Sequence, residues 1–130
     1  MQFPFHRLTA GQLVIEINDV IDFDQEDAVQ RDLRAVISRS GARTVIIDVR
    51  TPLVTAAAVN VLVRLRRSAD RRGAVLCVVA RRPLARKVFR IAGVYRFLLV
   101  TATLSGAVAI ARGCRPASGP PLRRGDGALT

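Results

Sequence analysis

This chain of 130 residues contains no tryptophan, one tyrosine (Tyr95) and 5% aromatic residues in all, although half of it is hydrophobic. Its core must therefore be built from Val, Leu, Ile and Ala, the residues that fill a sheet covered by helices. The chain also lacks aromatic platforms on which the bases of a single strand could stack. Cysteine is equally scarce. Cys77 sits in an apolar run, VLCVVA, and Cys114 stands far from it, without CxxC spacing. With His6 as the only histidine, there is neither a zinc set nor a Cys/His catalytic pair, and no structural disulfide is expected. Cys77 reads as a small core residue. Long apolar runs are missing too. The longest uncharged stretch, residues 97–111, is shorter than the ~20 residues of a spanning helix, and it carries Thr101, Thr103, Ser105 and Gly106. Met1 is followed by no apolar signal region. A soluble cytoplasmic protein without a membrane partner is expected.

Acidic residues are few, 10 against 21 basic ones, for a formal charge of +11, and Lys87 is the one lysine. Such an excess raises the question of an anionic partner. The simpler account, and the preferred one, is an arginine-heavy composition spread over solvated helix faces. The length suits one domain with a core that needs no staples. That domain is expected over residues 1–112. From Gly113 the composition turns to Gly, Pro, Ser and Arg, so residues 113–130 are expected to be a disordered tail. The Arg124-Gly125-Asp126 triplet in it is read as a chance match.

The chain is organised around residues 44–65, TVIIDVRTPLVTAAAVNVLVRL. Val45, Ile46 and Ile47 form a β-branched run ending at Asp48, which predicts a strand buried on both faces in the middle of a sheet. Arg50, Thr51 and Pro52 interrupt it. From Thr55 onward, Ala-rich sequence with Val59, Leu62 and Val63 at helical spacing predicts a helix. Function is expected at residues 54–58, because a helix N-terminus presents unpaired backbone N–H groups. Ahead of this unit, alternation at Phe3, Phe5 and Leu8, and again at Leu13, Ile15 and Ile17, predicts a hairpin turning near residues 9–11. Asp24, Gln25, Glu26 and Asp27 suit the first turn of a helix. Ala28, Val29, Leu33, Val36 and Ile37 would be its core stripe and Gly41 its left-handed cap. After the central helix come a buried strand over 74–80, a helix over 84–92 opened by Pro83 and closed by Gly93, a strand over 98–100, and a helix over 104–111 capped by Thr103. Val88, Phe89 and Ile91 are read as the apolar side of the third helix. Alternation of strands and helices after the hairpin predicts an α/β fold, a mixed sheet covered by about four helices.

Several of these residues resemble the STAS family, whose bacterial members include the anti-sigma factor antagonists. Asp48-Val49 stands where the family has a strand ending in Asp-Leu, and Val59 and Leu62 match its helix core. Residues 55–58, Thr-Ala-Ala-Ala, stand where the family has Asp-Ser-Ser-Gly. Ile21-Asp22 resembles the Leu-Asp of an earlier Gly-x-Leu-Asp element, with Asp19 in the glycine's place. Residues 88–98, VFRIAGVYRFL, are similar to the helix-Gly-Leu-x-x-x-Phe passage before the last strand, through Gly93, Val94 and Phe97. The resemblance spans residues 11 to about 112. It implies a STAS-like fold and a non-enzymatic protein-binding regulator, with an anti-sigma factor or related signalling protein as partner and no cofactor.

In kinase-switched relatives phosphate goes on the first serine of the signature, and here that position is Ala56. The resemblance keeps the frame and loses the switch. No phosphorylation is expected, and Thr55 is read as an N-cap rather than a phosphoacceptor. The partner surface expected from the resemblance comprises Asp22, Thr55, Ala56, Ala57, Ala58, Asn60, Val61 and Arg64, with Ala57, Val61 and Arg64 sharing one helical face. The competing reading half covers that face with the neighbouring loop and lays Arg64 over it. No nucleophile, base and metal stand in register, and Asp22 and Asp48 are read as strand-end groups rather than a carboxylate pair. Two further readings stay open: a basic nucleic-acid-binding module, using Arg64, Arg67 and Arg71 with Arg81, Arg82, Arg86 and Arg90 as one surface, and an adaptor domain that binds another signalling protein. Self-association is not decided by the sequence.

Overall fold

The computed structural model describes residues 2–113. The tail, with Cys114 and the Arg-Gly-Asp triplet, lies outside the described residues. Phe5–Thr9 (β1) turns through Ala10 and Gly11 into Gln12–Ile17 (β2), pairing antiparallel with Phe5 opposite Ile15 and a bulge between Arg7 and Thr9. Thr44–Val49 (β3), Val75–Ala80 (β4) and the short Val100–Thr101 (β5) add in parallel, so the strand order is β1-β2-β3-β4-β5. The mixed sheet, the opening hairpin and the four helices agree with the sequence expectation.

Because each parallel strand joins the sheet beside its predecessor, right-handed crossovers place every connecting helix on the same face. Glu26–Ser40 (α1), Ala56–Arg71 (α2) and Pro83–Ile91 (α3) pack there against Leu13, Ile15, Val45, Ile47, Leu76 and Val78. The alternate strand residues Val14, Ile46, Cys77 and Val79 point to the other face. They are covered by Ala107 and Ala111 of Leu104–Gly113 (α4). β3 is central and buried from Val45 to Val49, as its β-branched run predicts.

Local chemistry sets the ends of these elements. Gly41 closes α1 at φ +65° and Gly93 follows α3 at φ +77°. Pro83 opens α3, and Thr103 Oγ1 caps α4 by accepting from the Gly106 N–H at 3.0 Å. Four details differ from the sequence reading. A 3-10 turn, Phe23–Gln25, precedes α1, so Asp24 falls outside the helix proper. On α1 Ala28 is exposed and Gln30 is buried, because Val29, Leu33 and Ile37 set an inward face that includes position 30 and leaves out 28. Residues 98–99 are turn rather than strand. The Leu98 N–H donates to the Val94 carbonyl and the Leu99 N–H to the Arg96 carbonyl, which takes them out of the ladder until Val100. Finally, α4 runs through Gly113, one residue past the expected domain end.

Candidate functional site

The start of α2 is built around one hydroxyl. Thr55 has extended backbone angles, and its Oγ1 accepts from the Ala58 N–H at 3.0 Å, satisfying one of the helix's orphan donors. The same hydroxyl donates to the Ile21 carbonyl at 2.6 Å. A threonine can do both at once, since a hydroxyl is donor and acceptor together. The segment carrying Ile21-Asp22 is thereby tied to the α2 N-terminus, and Asp22 projects from it, exposed. Asp22 holds the following 3-10 turn through its backbone N–H, which donates to Gln25 Oε1 at 3.0 Å.

One turn along α2, polar residues reach the head of α1. Asn60 Nδ2 donates to Glu26 Oε1 at 3.4 Å, and Arg64 Nη1 donates to Asp27 Oδ1 at 3.0 Å and Glu26 Oε2 at 3.5 Å. These exposed pairs add little stability, roughly 0–1 kcal/mol each, but they orient Arg64 across α1 rather than outward. Ala56 is exposed beside them. Asp22, Thr55, Ala56, Asn60 and Arg64 thus occupy accessible or half-accessible positions.

Ala57, Ala58 and Val61 do not. Their exposures are 5%, 3% and 0%, and they belong to the main core. The sequence argument placed Ala57, Val61 and Arg64 on one helical face, and the spacing is right. That face is covered, because α2 packs against both the sheet and α1, and Arg64 lies over the seam. Ala57, Ala58 and Val61 are therefore core residues rather than accessible partner contacts, while Arg64 stays exposed.

A second feature was missed. Between α2 and α3 runs a groove of about 420 Å³ whose walls include Ala56, Val59 and Val63 on one side and Val88, Ile91 and Val94 on the other. Ile91 is 77% exposed, and Leu84, seven residues earlier on α3, is 65% exposed. α3 carries two apolar stripes. Ala85 and Phe89, spaced i and i+4, are buried; Leu84, Val88 and Ile91, spaced i, i+4 and i+7, leave their larger members in water. Assigning Ile91 to the same side as Phe89 was wrong, since two residues turn the helix by about 200°. The signal was available: a nine-residue helix with two apolar stripes can bury only one against a sheet. Phe23 and Leu53, on the segments flanking the α2 start, are also exposed.

Several of the basic residues are held by local contacts. Arg66 pairs with Asp70 at 2.9 Å, donates to the Phe97 carbonyl and stacks over the Phe97 ring. Arg90 stacks on Tyr95 with its guanidinium 4.5 Å from the ring centre, and Arg86 donates to the Ala80 and Arg81 carbonyls at 2.9 Å. Asp48 is 2% exposed, on the α4 side of the sheet, and accepts from Arg50 and Arg81. The hydrogen bond and charge of Asp48, then the charge of Glu16 one strand away, raise the Arg50 guanidinium above its usual value. Asp48 is therefore a neutralised strand-end group, quite unlike the exposed Asp22. Among the described residues no three His, Cys, Asp or Glu side chains gather as metal ligands, and no helix is long and apolar enough to cross a membrane.

A family model described as STAS domain matches residues 6–107. Among solved structures, the chain is similar to the anti-sigma factor antagonist SpoIIAA in its unphosphorylated form, at 18% identity and TM-score 0.67, covering 87% of this chain and 98% of that one. It is likewise similar to an anti-sigma factor antagonist from Mycobacterium paratuberculosis, at 19% identity and TM-score 0.69 over 85% and 93% of the two chains. A third likeness is to the Thermotoga maritima protein TM1081, at 14% identity and TM-score 0.74 over 85% and 94%. No curated protein sequence matches the chain. At these identities the likenesses establish the fold.

Proposed function

The chain belongs to the STAS domain family, and from that premise we propose that it is a non-enzymatic, protein-binding regulator of the anti-sigma factor antagonist type, not switched by a kinase. The observation that carries this reading is the exposed apolar groove beside the α2 N-terminus, with Ile91 77% in water. Exposed large apolar side chains beside a rim of polar groups mark a surface that another protein covers. The proposed docking surface is Asp22, Thr55, Ala56, Asn60 and Arg64, extended into the groove by Val63, Val88 and Ile91. Ala56 stands at the position that carries serine in switched relatives and has no atom to phosphorylate. Phosphate there would add roughly −2 of charge and oxygens needing desolvation, so its absence leaves the surface permanently open to a partner.

The nucleic-acid reading loses support because Arg64, Arg66, Arg81, Arg86 and Arg90 each have local partners. Titration of an anti-sigma factor with kinase activity tests the proposal. The wild type should bind with or without prior incubation with ATP and take up no phosphate. Ile91→Asp should weaken binding by at least tenfold without lowering the melting temperature, whereas Arg71→Asp, at the far end of α2, should bind normally. Stoichiometric phosphate on residues 55–58, or equal binding by the two variants, contradicts it.

A further inference from the structure

We propose that the cleft at the carboxyl ends of β3 and β4, walled by Arg50, Arg81 and Arg82, binds a phosphate-type dianion, free or as a monoester. The cleft measures about 340 Å³ and has Val49 as its other lining residue. It does not depend on the docking surface proposed above: Asp48, which organises it, lies on the face of the sheet opposite α1, α2 and α3.

The case begins with Asp48. A carboxylate buried this deeply requires a counter-charge, and one guanidinium would supply it. Asp48 has two. Arg50 Nε donates to Oδ2 at 3.0 Å, while Arg81 donates from Nε to Oδ1 and from Nη2 to Oδ2, both at 3.3 Å. Both arginines remain about half exposed, at 48% and 44%. Each therefore keeps most of its five N–H donors free for a second acceptor while the first holds the planar fork in place. Arg82 adds a third guanidinium, and among the described residues its side chain has no hydrogen bond or ion pair. The first turn of α3, which Arg82 precedes, contains no acidic residue.

Three guanidiniums against Asp48 and, one strand away, Glu16 leave a local charge of +1. The cleft thus stays cationic, and its free donors outnumber what one carboxylate can accept. Guanidinium forks pair bidentately with tetrahedral oxyanions, and arginines already oriented by a buried partner have less side-chain freedom to lose on binding. The bland account is that the arginines merely neutralise Asp48. With Glu16 beside Asp48 it explains Arg50 and Arg81, but not Arg82.

The test is a titration of the full chain, 15N-labelled, in a phosphate-free buffer with inorganic phosphate and, separately, phenyl phosphate. Saturable amide shifts should be confined to residues 49–53 and 80–85. Arg82→Ala should weaken binding about tenfold, the loss of one charge-assisted contact, without lowering the melting temperature. Asp48→Asn is the sharper variant. It raises the local charge to +2, so pure attraction predicts tighter binding, whereas loss of the group that holds Arg50 and Arg81 predicts weaker binding, the result expected here. Arg81→Lys keeps the charge, loses the fork, and should also bind about tenfold more weakly, which keeps the question decidable if Asp48→Asn does not fold. A tighter fit for phenyl phosphate would identify the ligand as a monoester, and equal affinities a free anion; both support the site. Shifts spread over arginines on every face, unchanged binding by Arg82→Ala, tighter binding by Asp48→Asn, or a Glu-rich peptide preferred to both phosphates would each overturn it.

Discussion

Removing the Thr55 hydroxyl should cost more than an ordinary helix cap. In Thr55→Val the shape is kept, but the Ala58 N–H loses its acceptor and the Ile21 carbonyl loses its donor. The first loss is worth about 1 kcal/mol. The second leaves the carbonyl of a fully buried residue unsatisfied, at about 1–3 kcal/mol. The sum is about 2–4 kcal/mol, a fall in Tm on the order of 10 °C for a domain of this size. Thr55→Ser keeps both bonds and should melt within a few degrees of wild type. Thr55→Asp restores the residue usual in the family and can still accept from Ala58. A carboxylate cannot donate to the Ile21 carbonyl, however, and would face its oxygen at close range, so this variant should be at least as unstable as Thr55→Val. Urea denaturation of the four proteins checks the reasoning. A Thr55→Val stability within about 0.5 kcal/mol of wild type, or Thr55→Asp more stable than wild type, would refute the idea that one hydroxyl joins the two segments.

Two further outcomes follow from the packing. Ala57→Asp and Val61→Asp each place an unpaired carboxylate in the core and should lose cooperative melting altogether, while Arg71→Asp melts as wild type; a normal melt for Ala57→Asp would return that residue to the surface. Gly93→Ala meets no atom within 4 Å of the added Cβ, yet it must hold φ at +77°, so it should lose about 1–2 kcal/mol through backbone strain alone, read as a lower denaturation midpoint with an unchanged slope.

What the chain determined by itself is everything that depends on near neighbours. The β-branched run at residues 45–47 makes a central strand whatever surrounds it, Gly41 and Gly93 adopt positive φ because other residues there would be strained, and Pro83 and Thr103 open helices through bonds made within a few residues. Those signals, with the spacing around Asp48, Ala56 and Gly93, suffice for the sheet, its order of elements and the family. Tertiary structure decided which faces meet water. α2 packs against both the sheet and α1, which leaves Ala57 and Val61 buried and turns Arg64 sideways onto Glu26 and Asp27. α3 had two apolar stripes, and the sheet took Ala85 and Phe89, leaving Leu84 and Ile91 exposed. Asp48 looked like any strand-end carboxylate until the pairing of β3 with β4 set Arg81, from 33 residues away, against both oxygens of the carboxylate that Arg50 already holds through Oδ2. Burial is a property of what packs on a face, and the partners that decide it lie beyond the reach of any local pattern.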